Sequence, residues 1–291
     1  MDDQAAMISQ MYRVGFNITD GRFLETMRIC YDDTLVRPFY VQHTMLPANV
    51  HFQKFIKRLN FSKAGHFKDI NMNLLYTQKN QHEQAAILLQ GKHEHLFDNN
   101  TLFLARGHLA AKADFIYGNQ QRATFNFFNV APQWQAFNGG QWAALEDEVR
   151  KFAAKSQLSL DCYTGTWGIL QLPHKTRTNN TQYRDFFLTV DGNNNGILPV
   201  PQLYYRVLID RSRYPRRGIA LVGVNNPHVT LKDINASYII CDDIREQVAW
   251  LRWMRNKDLK KGFLYACQVP DFVTAVGHLP KSLLNVTEIL I

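Results

Sequence analysis

Hydrophobic and polar positions recur along the chain in patterns that predict many strands and few helices. The clearest helical pattern runs from Gln141 to about Ser156, where apolar residues three and four positions apart form one stripe: Trp142, Leu145, Val149 and Phe152. Residues 22–33, "RFLETMRICYDD", also show helical spacing, and a further helix is predicted for 243–255, "DIREQVAWLRWMR".

Strand-like segments fill most of the remaining chain. The segments "RPFYVQHTML", "TLFLARGHLAA" and "RATFNFFNVAP" precede the helix at 141–156, and Pro132 is expected to close the third of them. After that helix come "LDCYTGTWGILQL", "DFFLTV", "YYRVLID" and "GIALVGV", with "DGNNNG" at 191–196 as a hairpin loop. Long strands with few helices predict an α+β fold, in which helices pack against a mixed or antiparallel sheet.

The domain organisation is expected to be simple. No repeat and no long Ser/Gly/Pro linker divides the 291 residues, so we predict a single domain over 1–291, in which residues 1–21 could form an N-terminal arm. The chain has no run of 18 apolar residues, and its first residues are acidic and mixed. We therefore expect no membrane partner.

Charge narrows the class of partner. Lys+Arg number 33 against 25 Asp+Glu, which gives a net charge of +8 and favours polyanions such as nucleic acid, anionic membranes or acidic glycans. The stretches "DRSRYPRRG" at 210–218 and "RWMRNKDLKK" at 252–261 could hold a phosphate backbone, although a solvated loop and a solvated helix face explain them equally well.

Cysteines and sequons point to the secretory pathway. Four cysteines allow three pairings, of which we favour Cys241 with Cys267, with free thiols as the alternative. Asn-x-Ser/Thr sequons occur at Asn17, Asn60, Asn99, Asn179, Asn235 and Asn285. We expect a secreted glycoprotein that begins after a removed leader.

The segment from 104 to 150 contains the groups that phosphodiester hydrolysis needs. His108 can act as a base, because imidazole titrates near neutral pH. Asn138 offers a hard oxygen suited to Mg²⁺, and Glu146 could hold the waters of that metal. Arg106 and Arg150 can brace phosphate oxygens. Taken singly, each has a plainer explanation, as a structural histidine, a turn residue or a helix-surface ion pair.

The order of these residues is more specific than any one of them. Arg106-Gly107-His108 is followed by Asn129 before Pro132-Gln133, by Asn138 before Gly140, and by Leu145-Glu146. This run resembles the DNA/RNA non-specific endonucleases, the Serratia-type branch of the ββα-metal nucleases. The segment "ARGHLAAKADF" is most similar to the secreted arthropod branch, which includes double-stranded ribonucleases and duplex-specific nuclease.

The resemblance implies a ββα-metal nuclease motif at about 100–156, embedded in the larger sheet. It also implies a role for each matching residue: His108 as general base, Asn138 as the single direct protein ligand of Mg²⁺, Glu146 on the water shell of the metal, Arg106 and Arg150 on the phosphate, and Asn129 holding the site. Lys112, four residues after His108, is expected to contact the substrate, and Mn²⁺ could replace Mg²⁺.

The chain departs from the family pattern at one position, because Ala105 stands where the family has a leading Asp. We expect a Mg²⁺-dependent endonuclease that cuts DNA, RNA or both, in duplex form, contacts the phosphate backbone, leaves 5′-phosphates and could form a homodimer. The alternatives are an inactive, nuclease-like protein that binds nucleic acid, and an intracellular enzyme that resembles endonuclease G. The sequence leaves open the choice between DNA and RNA and the choice between duplex and single strand.

Overall fold

A computed structural model describes residues 9–90, 93–98, 100–175, 181–254 and 256–291. The strands are β1 (Gln10–Asn17), β2 (Phe23–Asp32), β3 (Arg37–Met45), β4 (Leu104–His108), β5 (Val130–Trp134), β6 (Leu160–Trp167), β7 (Gln171–Lys175), β8 (Thr181–Asp185), β9 (Phe187–Val190), β10 (Gly196–Pro199), β11 (Leu203–Asp210), β12 (Arg217–Val224), β13 (Phe263–Cys267) and β14 (Glu288–Ile289). The α-helices are α1 (Met72–Leu75), α2 (Gln78–Leu88), α3 (Gly118–Ala123), α4 (Gln135–Phe137), α5 (Ala143–Ser156), α6 (Leu231–Ser237) and α7 (Val269–Val276).

One large sheet organises these elements. Its strands follow the order β1-β2-β3-β6-β11-β12-β13, and β14 pairs with β12. The β12–β14 pair is parallel, and the other pairs of this sheet are antiparallel. Separate two-stranded sheets are formed by β4 with β5, β7 with β8 and β9 with β10. The predicted α+β class is confirmed.

The inner strand β11 is buried along its whole length, so other elements must pack on both faces of the sheet there. Because side chains alternate across a strand, Tyr204 and Leu208 join one hydrophobic core, and Tyr205 and Val207 join the other. The first core contains residues of β5 and α5, and the second contains residues of α6 and α7. The unit of β4, β5 and α5 therefore lies on one face of the large sheet.

The helix predicted at 141–156 is confirmed, and its apolar stripe is buried as expected: Trp142, Leu145, Val149 and Phe152. A short π-helical turn, Asn138–Trp142, precedes α5 and contains a kink at Gly140. A Cβ atom at Gly140 would lie 2.7 Å from the carbonyl oxygen of Lys261, so the backbone comes close to its neighbour only because the residue is glycine.

Three predictions of local structure are wrong. Residues 22–33 contain strand β2, because β1 and β3 hydrogen-bond to it on either side, and this pairing outweighs the helical spacing. The segment 243–255 forms two short 3₁₀ turns, Arg245–Gln247 and Ala249–Leu251, while Arg255 lies outside the described residues. Pro132 lies inside β5 and does not end it, which is tolerated because β5 pairs only with β4 in its sheet.

The remaining structural predictions concern the N-terminal arm, the hairpin loop, the cysteines and membrane-spanning helices. Strand β1 covers part of the region expected to be an N-terminal arm, and the single-domain organisation stays a prediction. The hairpin loop at 191–196 is confirmed between β9 and β10. Cys241 and Cys267 form a disulfide bond, whereas Cys30 and Cys162 are buried free thiols. Within the described ranges, no helix is both long and apolar enough to span a bilayer.

Candidate active site

A cavity of about 700 Å³ opens between the β4–β5–α5 unit and the segment 52–61. Most of the residues predicted for the site lie in its wall: Arg106, His108, Lys112, Asn138 and Glu146. They come from β4, from the loop after it, from the π-helical turn and from α5. Asn129 and Arg150 are not among the lining residues, and both are buried behind the cavity wall.

His108 is the last residue of β4 and faces the cavity beside two aromatic rings. The centroid of its ring lies 5.2 Å from that of Phe61 and 5.1 Å from that of Phe125. Burial lowers the pKa of His108 to about 4, and the positive charges of Arg58 and Lys112 act in the same direction. Its Nε2 has no hydrogen-bond partner among the described residues. The imidazole is therefore neutral at neutral pH and can accept a proton.

Arg106 and His108 lie on the same face of β4, because side chains two positions apart in a strand point the same way. The guanidinium of Arg106 lies over the rings of Phe61 and Tyr76, at 5.6 and 5.3 Å. Its Nη2 donates to the backbone and side-chain oxygens of Asn73, each at 3.3 Å. No ion pair found in the described part of the chain includes Arg106, so its charge is available to an anion.

Gly107 separates these two residues and is buried against the large sheet. A Cβ atom here would lie 2.7 Å from the hydroxyl oxygen of Tyr204 and 2.5 Å from the Cβ of Gln133. Glycine therefore allows β4 to pack closely beneath the site while its neighbours face the cavity.

Asn129 fixes the chain immediately after His108. It is fully buried, and its Oδ1 accepts a hydrogen bond from the backbone N–H of Ala110 at 2.9 Å. Its Nδ2 donates to the carbonyl oxygens of Ala110 and Thr124, both at 3.0 Å. The side chain thus replaces backbone pairing for a buried turn that no strand partner reaches.

Asn138 and Glu146 present oxygen atoms to the same cavity. The Nδ2 of Asn138 donates to Oε1 of Gln135 at 3.3 Å, which directs the amide so that Oδ1 remains for another partner. Burial raises the pKa of Glu146 to about 7, although the nearby guanidinium of Arg206 opposes this effect. A cation close to this carboxyl group would relieve the cost of ionising it.

The donor set fits a hydrated Mg²⁺ ion. Amide and carboxylate oxygens are the ligands that this ion prefers, and it keeps most of its waters when proteins bind it. Over the residues that the structure describes, no group of three or more His, Cys, Asp or Glu side chains is placed to hold a metal.

Arg150 faces away from the cavity, toward a buried carboxylate. Its Nη1 lies 3.0 Å from Oδ1 of Asp114, whose Oδ2 lies 2.8 Å from Nη2 of Arg206 and 3.2 Å from Nε2 of His43. Burial alone would raise the pKa of Asp114, but its positive neighbours, with Arg206 foremost, hold it far below its usual range. In this position Arg150 joins α5 to the loop after His108, and a direct contact with phosphate stays a prediction.

Lys112 both lines the cavity and supports its wall. Its Nζ donates to the carbonyl oxygen of Ile56 at 2.7 Å, which ties the loop after β4 to the segment 52–61. The pKa of Lys112 is lowered by burial and by the charge of Arg58. A phosphate group in the cavity would meet both of these cations.

Sequence patterns missed part of the cavity wall. Phe61, Arg58 and Asn73 come from a polar region in which no motif stood out, and the basic run "KFIKR" at 54–58 was the one signal that could have indicated it. The basic stretches at 210–218 and 252–261 contribute no lining residue within the described chain. Three arginines of the first stretch are in ion pairs: Arg211 with Asp161, Arg213 with Glu288 and Arg217 with Asp210.

The fold and the cavity together define a ββα unit in which a histidine, an amide and a carboxyl group meet at one site. Residues 8–272 match the family of DNA/RNA non-specific endonucleases, and the chain belongs to that family. The family assignment made from the sequence is thus confirmed.

The curated relatives include salivary proteins of arthropods. A salivary endonuclease of Lutzomyia longipalpis is 29% identical over 268 residues, which is 91% of this chain and 60% of the relative. Salivary protein Tsal1 of Glossina morsitans morsitans is 24% identical over 91% of this chain and 64% of its own length. A salivary endonuclease of Culex quinquefasciatus is 25% identical over 51% of this chain. The chain thus spans less than two thirds of the length of these relatives.

Among solved structures, the complex of EndoG with EndoGI aligns with 73% of this chain and 77% of its own chain, at a TM-score of 0.44 and 21% identity. This likeness is too distant to add to the description of the fold.

Proposed function

We propose that this protein is an endonuclease that hydrolyses phosphodiester bonds of DNA, RNA or both with little sequence preference. One observation carries the proposal: a neutral, unpartnered imidazole shares a cavity with an unpaired guanidinium and with the oxygen atoms of Asn138 and Glu146. Membership of the endonuclease family and the names of the salivary relatives support it.

The chemistry follows from the positions of the side chains. His108 accepts a proton from the attacking water, and its low pKa keeps it in the basic form. Arg106, with Lys112 and Arg58, binds the negatively charged phosphate in the cavity. Asn129 keeps the backbone after His108 in place, so the base and the phosphate meet at a fixed distance.

Asn138 would hold Mg²⁺, or Mn²⁺ in its place, and Glu146 would hold the waters of the ion. When bound, such an ion stabilises negative charge on the phosphate and on the departing oxygen. Departure of the 3′ oxygen leaves a 5′-phosphate, which we propose as the product, with duplex nucleic acid as the substrate.

We also propose that the protein is secreted and glycosylated. The sequon asparagines in the described part of the chain are exposed, as glycan attachment requires: Asn17, Asn60, Asn235 and Asn285. Asn60 also lines the cavity, where a glycan would obstruct the substrate, so we propose glycans at the other three. The Cys241–Cys267 disulfide suits an oxidising compartment better than the intracellular alternative. The predicted sequons at Asn99 and Asn179 lie outside the described residues, and a homodimer stays a prediction.

The test uses purified protein with Mg²⁺ and a panel of duplex DNA, duplex RNA, hybrid and single strands. His108→Ala should lower the cleavage rate by about 10²- to 10⁴-fold, the usual contribution of a positioned base. His228→Ala is the matched control, because burial also lowers the pKa of His228 to about 4, yet this residue does not line the cavity.

Equal cleavage by His108→Ala and the wild type would refute the assignment of the base. Salt-sensitive binding without cleavage in any divalent metal would instead identify an inactive scaffold, the alternative that Ala105 raises.

A further inference from the structure

A phenylalanine projects fully into solvent beside the cavity. Phe55 is 101% exposed, the largest value among the exposed apolar side chains of the described residues. Its neighbours Lys54, Lys57 and Arg58 are also exposed, and no ion pair in the described part of the chain includes any of the three. The segment 51–63 contains no Asp or Glu, so the ring stands in a purely cationic surrounding.

Hydrogen bonds hold the chain on both sides of Phe55. Before it, the N–H of Gln53 donates to the carbonyl of Ile116 at 2.9 Å, and Oε1 of Gln53 accepts from the N–H of Gly118 at 2.7 Å. After it, the carbonyl of Ile56 accepts from Nζ of Lys112 at 2.7 Å. The exposed ring is therefore presented by a fixed loop.

The conformation of Phe55 is costly. Its φ angle is +61°, in the left-handed region that bulky side chains avoid. Backbone strain of this kind persists where the surrounding contacts impose it, and it clusters at binding sites. In the free protein the fold gains no burial from the exposed ring that would offset this strain. The strain and the exposure together indicate that the ring contacts a binding partner.

The same segment forms one wall of the catalytic cavity. Phe52, Arg58 and Phe61 line the cavity, and Phe55 lies between the first two along the chain without lining the cavity itself. A nucleic acid strand offers a flat base for an aromatic ring and phosphates for adjacent cations, which is the combination that single-strand binding surfaces use.

We propose that Phe55 stacks on an unpaired base of the bound nucleic acid, at a frayed end or a single-stranded stretch beside the cut site, while Lys54, Lys57 and Arg58 hold the phosphates beside it. This assignment rests on the proposed function and adds a specific contact outside the ββα unit. Because every base has an aromatic face, this contact stabilises binding of the strand independently of its sequence.

The experiment is a double-mutant cycle on binding. Full-length His108→Ala protein, with and without Phe55→Ala, is titrated with a fluorescent 12-nucleotide oligothymidylate and with an abasic oligonucleotide of the same length. We expect Phe55→Ala to weaken binding of the oligothymidylate by about 5- to 100-fold, the range for loss of one stacked base. Binding of the abasic chain should be unchanged, since it has no base to lose.

Further variants separate stacking from other contacts. Phe55→Trp should keep the affinity, whereas Phe55→Leu, which is apolar without an aromatic face, should behave like Phe55→Ala. Phe55→Ala should leave the salt dependence unchanged, while Lys54→Ala should lower the slope because one phosphate contact is lost. Tyr214→Ala is the matched control: Tyr214 is 90% exposed in an arginine-rich hairpin that does not line the cavity.

The outcomes are distinct. If the oligothymidylate does not bind although the wild type cleaves a member of the nucleic acid panel, the stacking assignment is refuted and the proposed function stands. If the wild type neither binds nor cleaves any nucleic acid of that panel, both are refuted. If the oligothymidylate binds equally to both proteins, if the abasic chain also loses affinity, or if Tyr214→Ala has the same effect, the stacking role of Phe55 alone is refuted. Binding to phosphatidylserine vesicles that depends on Phe55, with unchanged oligonucleotide binding, would assign the ring to a membrane surface and overturn the proposal.

Discussion

Replacing Asn129 by alanine is the sharpest test of how the fold holds the site. The change removes the partner of three buried backbone groups: the N–H of Ala110, the carbonyl of Ala110 and the carbonyl of Thr124. Each lost hydrogen bond costs about 1 kcal/mol net, and a buried group left without a partner costs more. We therefore expect the free energy of unfolding to fall by about 3 kcal/mol.

The same variant should impair catalysis beyond its effect on stability. Ala110 lies two residues after His108, and the hydrogen bonds left at Leu109 would be the one from its N–H to the carbonyl of residue 129 and the 3.4 Å one from Nη2 of Arg206 to its carbonyl. A displacement of about 1 Å at a catalytic group can cost about 10²-fold in rate. We expect kcat to fall by about that factor, while KM changes less, because the groups that contact phosphate stay in place.

Urea unfolding followed by circular dichroism, together with steady-state cleavage of duplex DNA or RNA, measures both effects. Asn126→Ala is the control, since Oδ1 of Asn126 accepts one local hydrogen bond, from the N–H of Phe128 at 3.0 Å. It should cost about 1 kcal/mol and leave kcat unchanged. Wild-type stability in Asn129→Ala, or an equal loss of kcat in both variants, would refute the reasoning.

Two further predictions concern the charges around the site. Arg150→Met should lower the free energy of unfolding by about 3 kcal/mol in urea titrations, because it removes one partner of the buried Asp114. Unchanged stability would contradict this role, and a raised KM would support the predicted contact of Arg150 with phosphate. His108 is neutral above about pH 4, so the acid limb that it contributes to kcat/KM should lie below pH 6.5, the unperturbed value, and below any limb of Glu146, whose pKa burial raises to about 7. Lys112→Met should move that limb to higher pH, because removing a nearby positive charge favours the imidazolium. If an NMR titration of wild-type His108 gave a pKa near 6.5, the predicted lowering of its pKa would be wrong.

The sequence alone determined the parts of the protein that local patterns describe. The apolar stripe from Trp142 to Phe152 predicted α5 because residues on one helix face recur every three to four positions. The continuous apolar runs predicted β11 and β12, which are buried on both faces. The order of His108, Asn138 and Glu146, through its resemblance to the DNA/RNA non-specific endonucleases, predicted residues that share the cavity, and the ββα unit that holds them is local in the chain.

Only the tertiary structure decided what lies around that unit. Helical spacing at 22–33 gave way to β2, since two neighbouring strands supply backbone hydrogen bonds that the local pattern does not report. The partners of Asp114 come from β3, α5 and β11, at His43, Arg150 and Arg206, and no local pattern brings such distant charges together.

The segment around Phe55 shows most clearly how the contributions of local sequence and tertiary structure differ. Its sequence shows an aromatic residue among basic ones, which is equally typical of a solvated loop. Hydrogen bonds to the carbonyl of Ile116 and from Gly118 and Lys112 fix the segment against the cavity and leave the ring in solvent. Local sequence thus determines which side chains are available, whereas long-range packing determines which of them meet at a site, because that depends on contacts between residues far apart in the chain.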